Sequence, residues 1–249
     1  MKLIAQWRRW QIFLDENSWI AIKKAKDENK IPAINKERQI LLKLKEANID
    51  FVPQIINRWE WRFSYKWIEG ITMYDILRKS EKKSEEVWRK ITWNTSNNIK
   101  ISSEFLQSFF RTFQTFKKYL FLDLLQKAYI LDKLWIIHWE LIRPYKNIIL
   151  GKSDKFVLKK SEKNSEKFWK NILSDFLWIN LSDFPRIHII DFERWKIWDY
   201  SWKNMRSFAQ FLLSQWILTL DDVKKLRKLN KNDIFEFLKE KILSFKNPI

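Results

Sequence analysis

A chain that folds must turn back on itself, and the tightest turns call for glycine, which takes positive φ at no steric cost. This 249-residue chain has two glycines and 16 tryptophans. At average usage of about 7% a chain of this length carries roughly seventeen glycines, and the two counts together come close to that number. The tryptophans also fall in turn contexts. Trp19 follows Asp-Glu-Asn-Ser, Trp59 and Trp61 bracket a glutamate in NRWEW, and Trp93 precedes Asn-Thr-Ser-Asn-Asn. Trp195 and Trp198 sit in ERWKIW and Trp202 in YSWKN. Trp216, in LLSQWILT, stands where a glycine would end a helix. Two readings compete. Some bacterial lineages read the UGA codon as glycine, and translating it as tryptophan writes W at many glycine positions. The other is a tryptophan-rich surface for carbohydrate or proline-rich peptide, which would still need glycines in its turns.

The rest of the composition narrows the function. There is no cysteine, which excludes a disulfide framework, a thiol nucleophile and a thiolate metal site. The two histidines, His138 and His188, are too few for a multi-histidine metal cluster. No apolar stretch is long enough to span a membrane. Arg8 and Arg9 interrupt the start where a signal peptide needs an apolar run. The expectation is a soluble cytoplasmic protein. A net charge of +18, mostly from lysine, favours polyanionic partners such as RNA or ribosomes. A/T-rich codons account for part of that excess, and no RNA-binding motif with interleaved aromatics is visible.

Residues 3–25 read as three strands: KLIAQ, QIFLD and WIAIKKA. Residues 34–48 read as a helix, with Ile40, Leu41, Leu44 and Ala47 at helical spacing. FVPQIIN and RFSYKWIE read as strands, and after Gly70 the pattern turns helical. Helical patterning then covers SEFLQSFFRTFQTFKKYLFLDLLQKAYILDKL. Short strands are expected within 147–158 and 186–193, and helices from Met205 onward. The order is β-rich first and α-rich second, giving an α+β fold divided near residue 70: a unit at 1–69, and a mainly helical unit at 70–249 with an insertion at about 152–184.

Six features in sequence order carry chemistry. With Trp7 and Trp10 read as glycines, AQWRRWQIF becomes a glycine-bearing turn between strands, followed by Ile12, a turn able to cover phosphates. Ile20-Ala21-Ile22-Lys23 puts a lysine late on the third strand, where it can reach phosphate oxygens. NKERQIL supplies Glu37 on the following helix to pair with it. His138-Trp139-Glu140-Leu141 puts an acid two residues after a histidine. Asn147 follows, and then Ile189-Ile190-Asp191-Phe192-Glu193 puts an acid after an apolar run.

These features together resemble the protein-kinase superfamily in its small atypical branch. The chain is similar to the predicted archaeal-type serine/threonine protein kinases, related to the RIO and Bud32 kinases. With glycine restored, Trp139 to Pro144 reads G-E-L-I-R-P, and this phrase with Asp191-Phe192-Glu193 matches that branch. YKWIEG at 65–70 resembles its hinge. The resemblance spans about residues 3–215. It implies a two-lobe kinase-like fold, a β-rich N-lobe of five strands and one helix, and a reduced, mainly helical C-lobe. It implies ATP and Mg²⁺ as cofactors. Trp7, Trp10, Ile12, Ala21, Lys23, Lys66, Trp67 and Ile68 would bind the nucleotide. Glu37 would hold Lys23, Glu140 would act as the base, and Asn147 and Asp191 would bind metal.

Three departures stand out. Glutamate at 140 replaces the usual aspartate. Asn147 lies seven positions after Glu140, against five in the common pattern. Beyond Asp191 there is no A-P-E phrase. The implied activity is transfer of the ATP γ-phosphate to a protein serine or threonine. A small-molecule kinase, a pseudokinase or ATP-binding scaffold, and an RNA- or ribosome-associated protein are the alternatives.

Overall fold

In the computed structural model, the described residues are 1–6, 8–75, 103–138, 141, 144, 147–151, 186–192, 195–197 and 202–245. Trp7, Glu140 and the expected insertion at about 152–184 lie outside them.

The first part is a five-stranded antiparallel sheet with one helix. Strands β1 (Lys2–Gln6), β2 (Trp10–Asp15), β3 (Ile20–Ala25), β4 (Ile55–Trp59) and β5 (Arg62–Lys66) take the order β1-β2-β3-β5-β4. Burial alternates along β2 and β3, as a sheet with one covered face requires. The covered face carries Trp10, Ile12 and Leu14 from β2 opposite Ala25, Lys23 and Ala21 from β3. Helix α1 (Ile31–Glu46) opens with a proline in its first turn and buries a stripe of Ile34, Glu37, Ile40, Leu41 and Leu44. One carboxylate therefore sits inside an apolar stripe, and one lysine inside an apolar sheet face.

Gly70 opens the next strand. Strands β6 (Gly70–Thr72), β8 (Ile148–Gly151) and β9 (Ile187–Ile189) form one small sheet, and β7 (Ile136–His138) pairs with β10 (Trp195–Ile197). The chain's two glycines, Gly70 and Gly151, face each other across β6 and β8. A Cβ on Gly70 would stand 2.2 Å from the Leu150 carbonyl oxygen, so the close approach itself demands glycine there. Helices α2 (Ser103–Lys133), α3 (Lys203–Ser214), α4 (Leu220–Leu226) and α5 (Lys231–Ser244) make the rest. Phe121 of α2 meets Phe211 of α3 edge-on at 5.5 Å, with Phe208 beside them. Thr219 and Asp222 close a reciprocal capping box on α4. The Ile189 N–H of β9 donates to the Phe51 carbonyl, tying that small sheet to the segment after α1. No helix among the described residues is long and apolar enough to cross a membrane.

The α+β organisation expected from the sequence is the one observed. The differences lie in short strands. Gly70–Thr72 extends before any helix begins, and β7 and β10 have three residues each. Of FVPQIIN, only Ile55–Asn57 enters β4, while Phe51 bends away to hold β9.

Six non-glycine residues have positive φ among the described residues, and four of them are Trp19, Trp135, Trp202 and Trp216. The left-handed conformation costs an ordinary L-residue about 1–2 kcal/mol.

Candidate functional site

The site is built on Lys23. β3 presents it on the covered face between cross-strand neighbours Ile12 and Phe63, both buried. A lone ammonium there would be expensive to desolvate. The Glu37 carboxylate answers it from α1, at 2.9 Å by Oε1 and 2.7 Å by Oε2. Burial pushes the Glu37 carboxyl up, Lys23 pulls it down, and the charge of Asp191 adds to the upward push.

Asp191 completes the group. It follows β9 in a left-handed conformation, φ 61°, with its Oδ1 3.8 Å from the Lys23 ammonium. Backbone strain of this kind gathers at working sites. The Asp191 side chain is 29% exposed, so it is the member of the cluster open to a ligand. Next to it Phe192 is fully buried, and its N–H points at Glu37 Oε1 at 3.4 Å. The Phe192 ring meets the His138 ring edge-on at 6.0 Å. Tyr65 also lies close, its hydroxyl pKa pushed up by burial and by the charges of Glu37 and Asp191.

His138 ends β7 and is buried. Desolvation lowers its pKa to about 4, against the pull of Asp191 and a backbone hydrogen bond with Ile190, so it is neutral at physiological pH. A buried polar clamp holds its strand. Asn204 Oδ1 accepts the His138 N–H at 2.7 Å, and Asn204 Nδ2 donates to the Ile136 carbonyl at 2.6 Å and to Asp132 Oδ1 at 2.8 Å. Asp132, near the end of α2, also accepts the N–H groups of Asn204 and Met205 at the start of α3. Burial raises its pKa to about 6. The clamp ties the end of α2, the start of α3 and strand β7 into one unit. Sequence reasoning missed both clamp residues, since nothing in their spacing connects positions 132 and 204.

Of the expected site residues, Lys23, Glu37 and Asp191 converge. Asn147 is brought to the same place, because its carbonyl oxygen accepts the Ile190 N–H at 2.8 Å, one residue before Asp191. Ile12 and Ala21 are buried on the sheet face around Lys23. Trp10 is buried there too, and the Lys23 ammonium lies 3.9 Å from its ring centroid. Lys66 is the exposed end of β5, and Trp67 and Ile68 lie on the connection to β6. The Trp67 N–H donates to the Trp19 carbonyl. Trp7 and Glu140 lie outside the described residues.

No family model matches this chain. No curated protein matches it either. Among solved structures it is similar to the gentamicin-APH(2″)-IIa complex, at 14% identity and a TM-score of 0.33, covering 98% of this chain and 91% of that one. It is also similar to the ADP-bound aminoglycoside phosphotransferase APH(2″)-Ib, at 12% identity and a TM-score of 0.32, covering 97% and 91%.

Proposed function

We propose that this protein is an ATP-dependent phosphotransferase of the protein-kinase type, with a protein serine or threonine hydroxyl as acceptor. The observation that carries the reading is the convergence of buried Lys23 from β3 and buried Glu37 from α1 with the partly exposed Asp191 just after β9. A lysine late on the third strand, held by a glutamate on the one helix beside that sheet, is suited to grip phosphate oxygens as a fixed point charge. Glu37 keeps the ammonium in one place, so its orientation is fixed before a phosphate arrives.

The donors near Asp191 suit Mg²⁺, which takes hard oxygen ligands and commonly needs one or two carboxylates besides phosphates and water. Among the described residues no group of three acidic or histidine side chains could hold a metal alone. A nucleotide-borne magnesium fits that better than a permanent protein cage. Asp191 would hold it with Asn147, and the bound ion would neutralise charge on the phosphates. Glu140 would orient the acceptor hydroxyl and take its proton, a role that rests on the resemblance of the segment around it. His138, neutral and fixed by Asn204, keeps the strand leading to Glu140 in register.

The test is transfer of label from γ-labelled ATP in the presence of Mg²⁺, comparing the wild type with Asp191→Ala. Label appearing in protein and abolished by D191A supports the reading. Label transferred only to an added aminoglycoside or sugar would move the acceptor to a small molecule. Tight binding of Mg·ATP without transfer would mark a scaffold instead.

A further inference from the structure

Helix ends set the standard here. Helix α1 stops in a Schellman turn: the Ile49 N–H donates to the Leu44 carbonyl, the Asn48 N–H to that of Lys45, and Asn48 takes φ 54°. Asparagine is the common substitute when glycine is not used at that position. Helix α3 stops in the same way. The Ile217 N–H donates to Leu212 and the Trp216 N–H to Leu213, with Trp216 at φ 60°. Helix α2 also ends on a left-handed residue, Trp135 at φ 60°, whose N–H donates to Asp132. A bulky side chain in this conformation is a true outlier. Two helices therefore end on the residue type least suited to the backbone found there.

Both indoles at the helix ends are exposed. Trp216 is 88% exposed and Trp135 48%. Trp19, at φ 54° in the turn from β2 to β3, is 46% exposed. Trp202 differs, since its ring lies by Tyr129 and Lys231, yet its φ of 72° is the most positive of the set. A surface evolved to use tryptophan would hold its rings on ordinary backbone.

We infer that the functioning chain carries glycine at positions 19, 135, 202 and 216, the codon written as tryptophan being read as glycine. A second observation extends this to position 10, and that extension rests on the phosphotransferase reading. As written, the Trp10 indole lies over the Lys23 ammonium, the group assigned to the nucleotide phosphates. Glycine there uncovers the ammonium and leaves a backbone that phosphate oxygens can approach closely.

Peptides spanning positions 135 and 216, from protein isolated from its own cells, test this directly by mass spectrometry. Glycine masses are expected, and tryptophan masses at both positions overturn the inference. A second test uses recombinant protein. W216G and W135G are expected to melt about 2–4 °C above the chain as written for each kcal/mol of strain relieved. Alanine variants, which keep a Cβ at positive φ, should fall below the glycine ones. A melting point for W216G at or below that of the chain as written counts against glycine there. At position 10, W10G, with W10A as the variant that retains more strand propensity, should bind Mg·ATP at least tenfold more tightly by calorimetry. Equal affinity removes position 10 from the inference. Absence of Mg·ATP binding by every folded variant overturns the nucleotide reading and leaves positions 135 and 216 standing.

Discussion

The Lys23 ammonium and the Glu37 carboxylate lie 2.7 Å apart, each side chain only 4% exposed, although the residues come from a strand and a helix fourteen positions apart. Removing one partner strands the other in an apolar setting. Lys23→Met should cost about 3–5 kcal/mol in urea unfolding. The double variant Lys23→Met/Glu37→Leu should recover most of that stability while phosphotransfer stays lost. A double variant as unstable as the single one contradicts the stranded Glu37 charge as the source of the loss.

Asn204 stands at a second junction. Asn204→Ala removes the side-chain acceptor of the His138 N–H and the side-chain donor to the Ile136 carbonyl, at about 1–3 kcal/mol for each group left unsatisfied, while Asp132 keeps its backbone donors from Asn204 and Met205. Because the clamp positions the strand before Glu140 and touches none of the residues proposed to hold nucleotide, kcat should fall more than tenfold with KM for ATP changed little. Steady-state kinetics on the purified variant check this. A rise in KM with kcat intact would remove the positioning role.

His138 makes stability depend on pH with a definite sign. Its folded pKa of about 4 lies below the ordinary 6.5, so the unfolded chain binds a proton first as pH falls. Stability from this group is complete above about 6.5 and is lost towards 4. Asp132 works the other way, since its raised pKa of about 6 favours the folded state as acid is added. Comparing wild type with His138→Gln isolates the histidine. Urea unfolding at pH about 7 and about 4.5, spanning most of the interval between the ordinary and the folded pKa of the imidazole, should show a larger loss for the wild type. An equal loss in both proteins contradicts burial of a neutral imidazole.

Gly70 is required by its neighbour across the sheet. Gly70→Ala puts a methyl group against the Leu150 carbonyl oxygen and should cost at least about 1–3 kcal/mol in thermal unfolding. Gly151→Ala meets the edge of the His188 ring at 3.0 Å, where a side chain can yield, and should cost less. The reverse order would mean that β6 does not approach β8 so closely.

The first sheet and α1 were legible because their patterns are long. Alternation in QIFLD and IAIKKA, and the stripe through Ile40, Leu41 and Leu44, each reflect one continuous buried face. Strands β6, β7 and β10 were not, because three residues hold no period and each exists only through a partner far along the chain. In the site, Lys23, Glu37 and Asp191 were legible as residue types in a familiar order. The Asp132–Asn204 clamp was not, because its chemistry depends on two helix ends meeting a strand. Trp216 was legible as a helix stop, and its positive φ supplies the physical reason.

The most direct measurement is Mg²⁺-dependent transfer of the γ-phosphate of labelled ATP to protein, in wild type and in Asp191→Ala. Transfer that requires the wild-type carboxylate and falls by at least about 10²-fold in the variant is the expected result. Transfer undiminished by Asp191→Ala, or no transfer by folded wild type carrying glycine at position 10 with Mg·ATP bound, would contradict the assignment of this site to phosphotransfer.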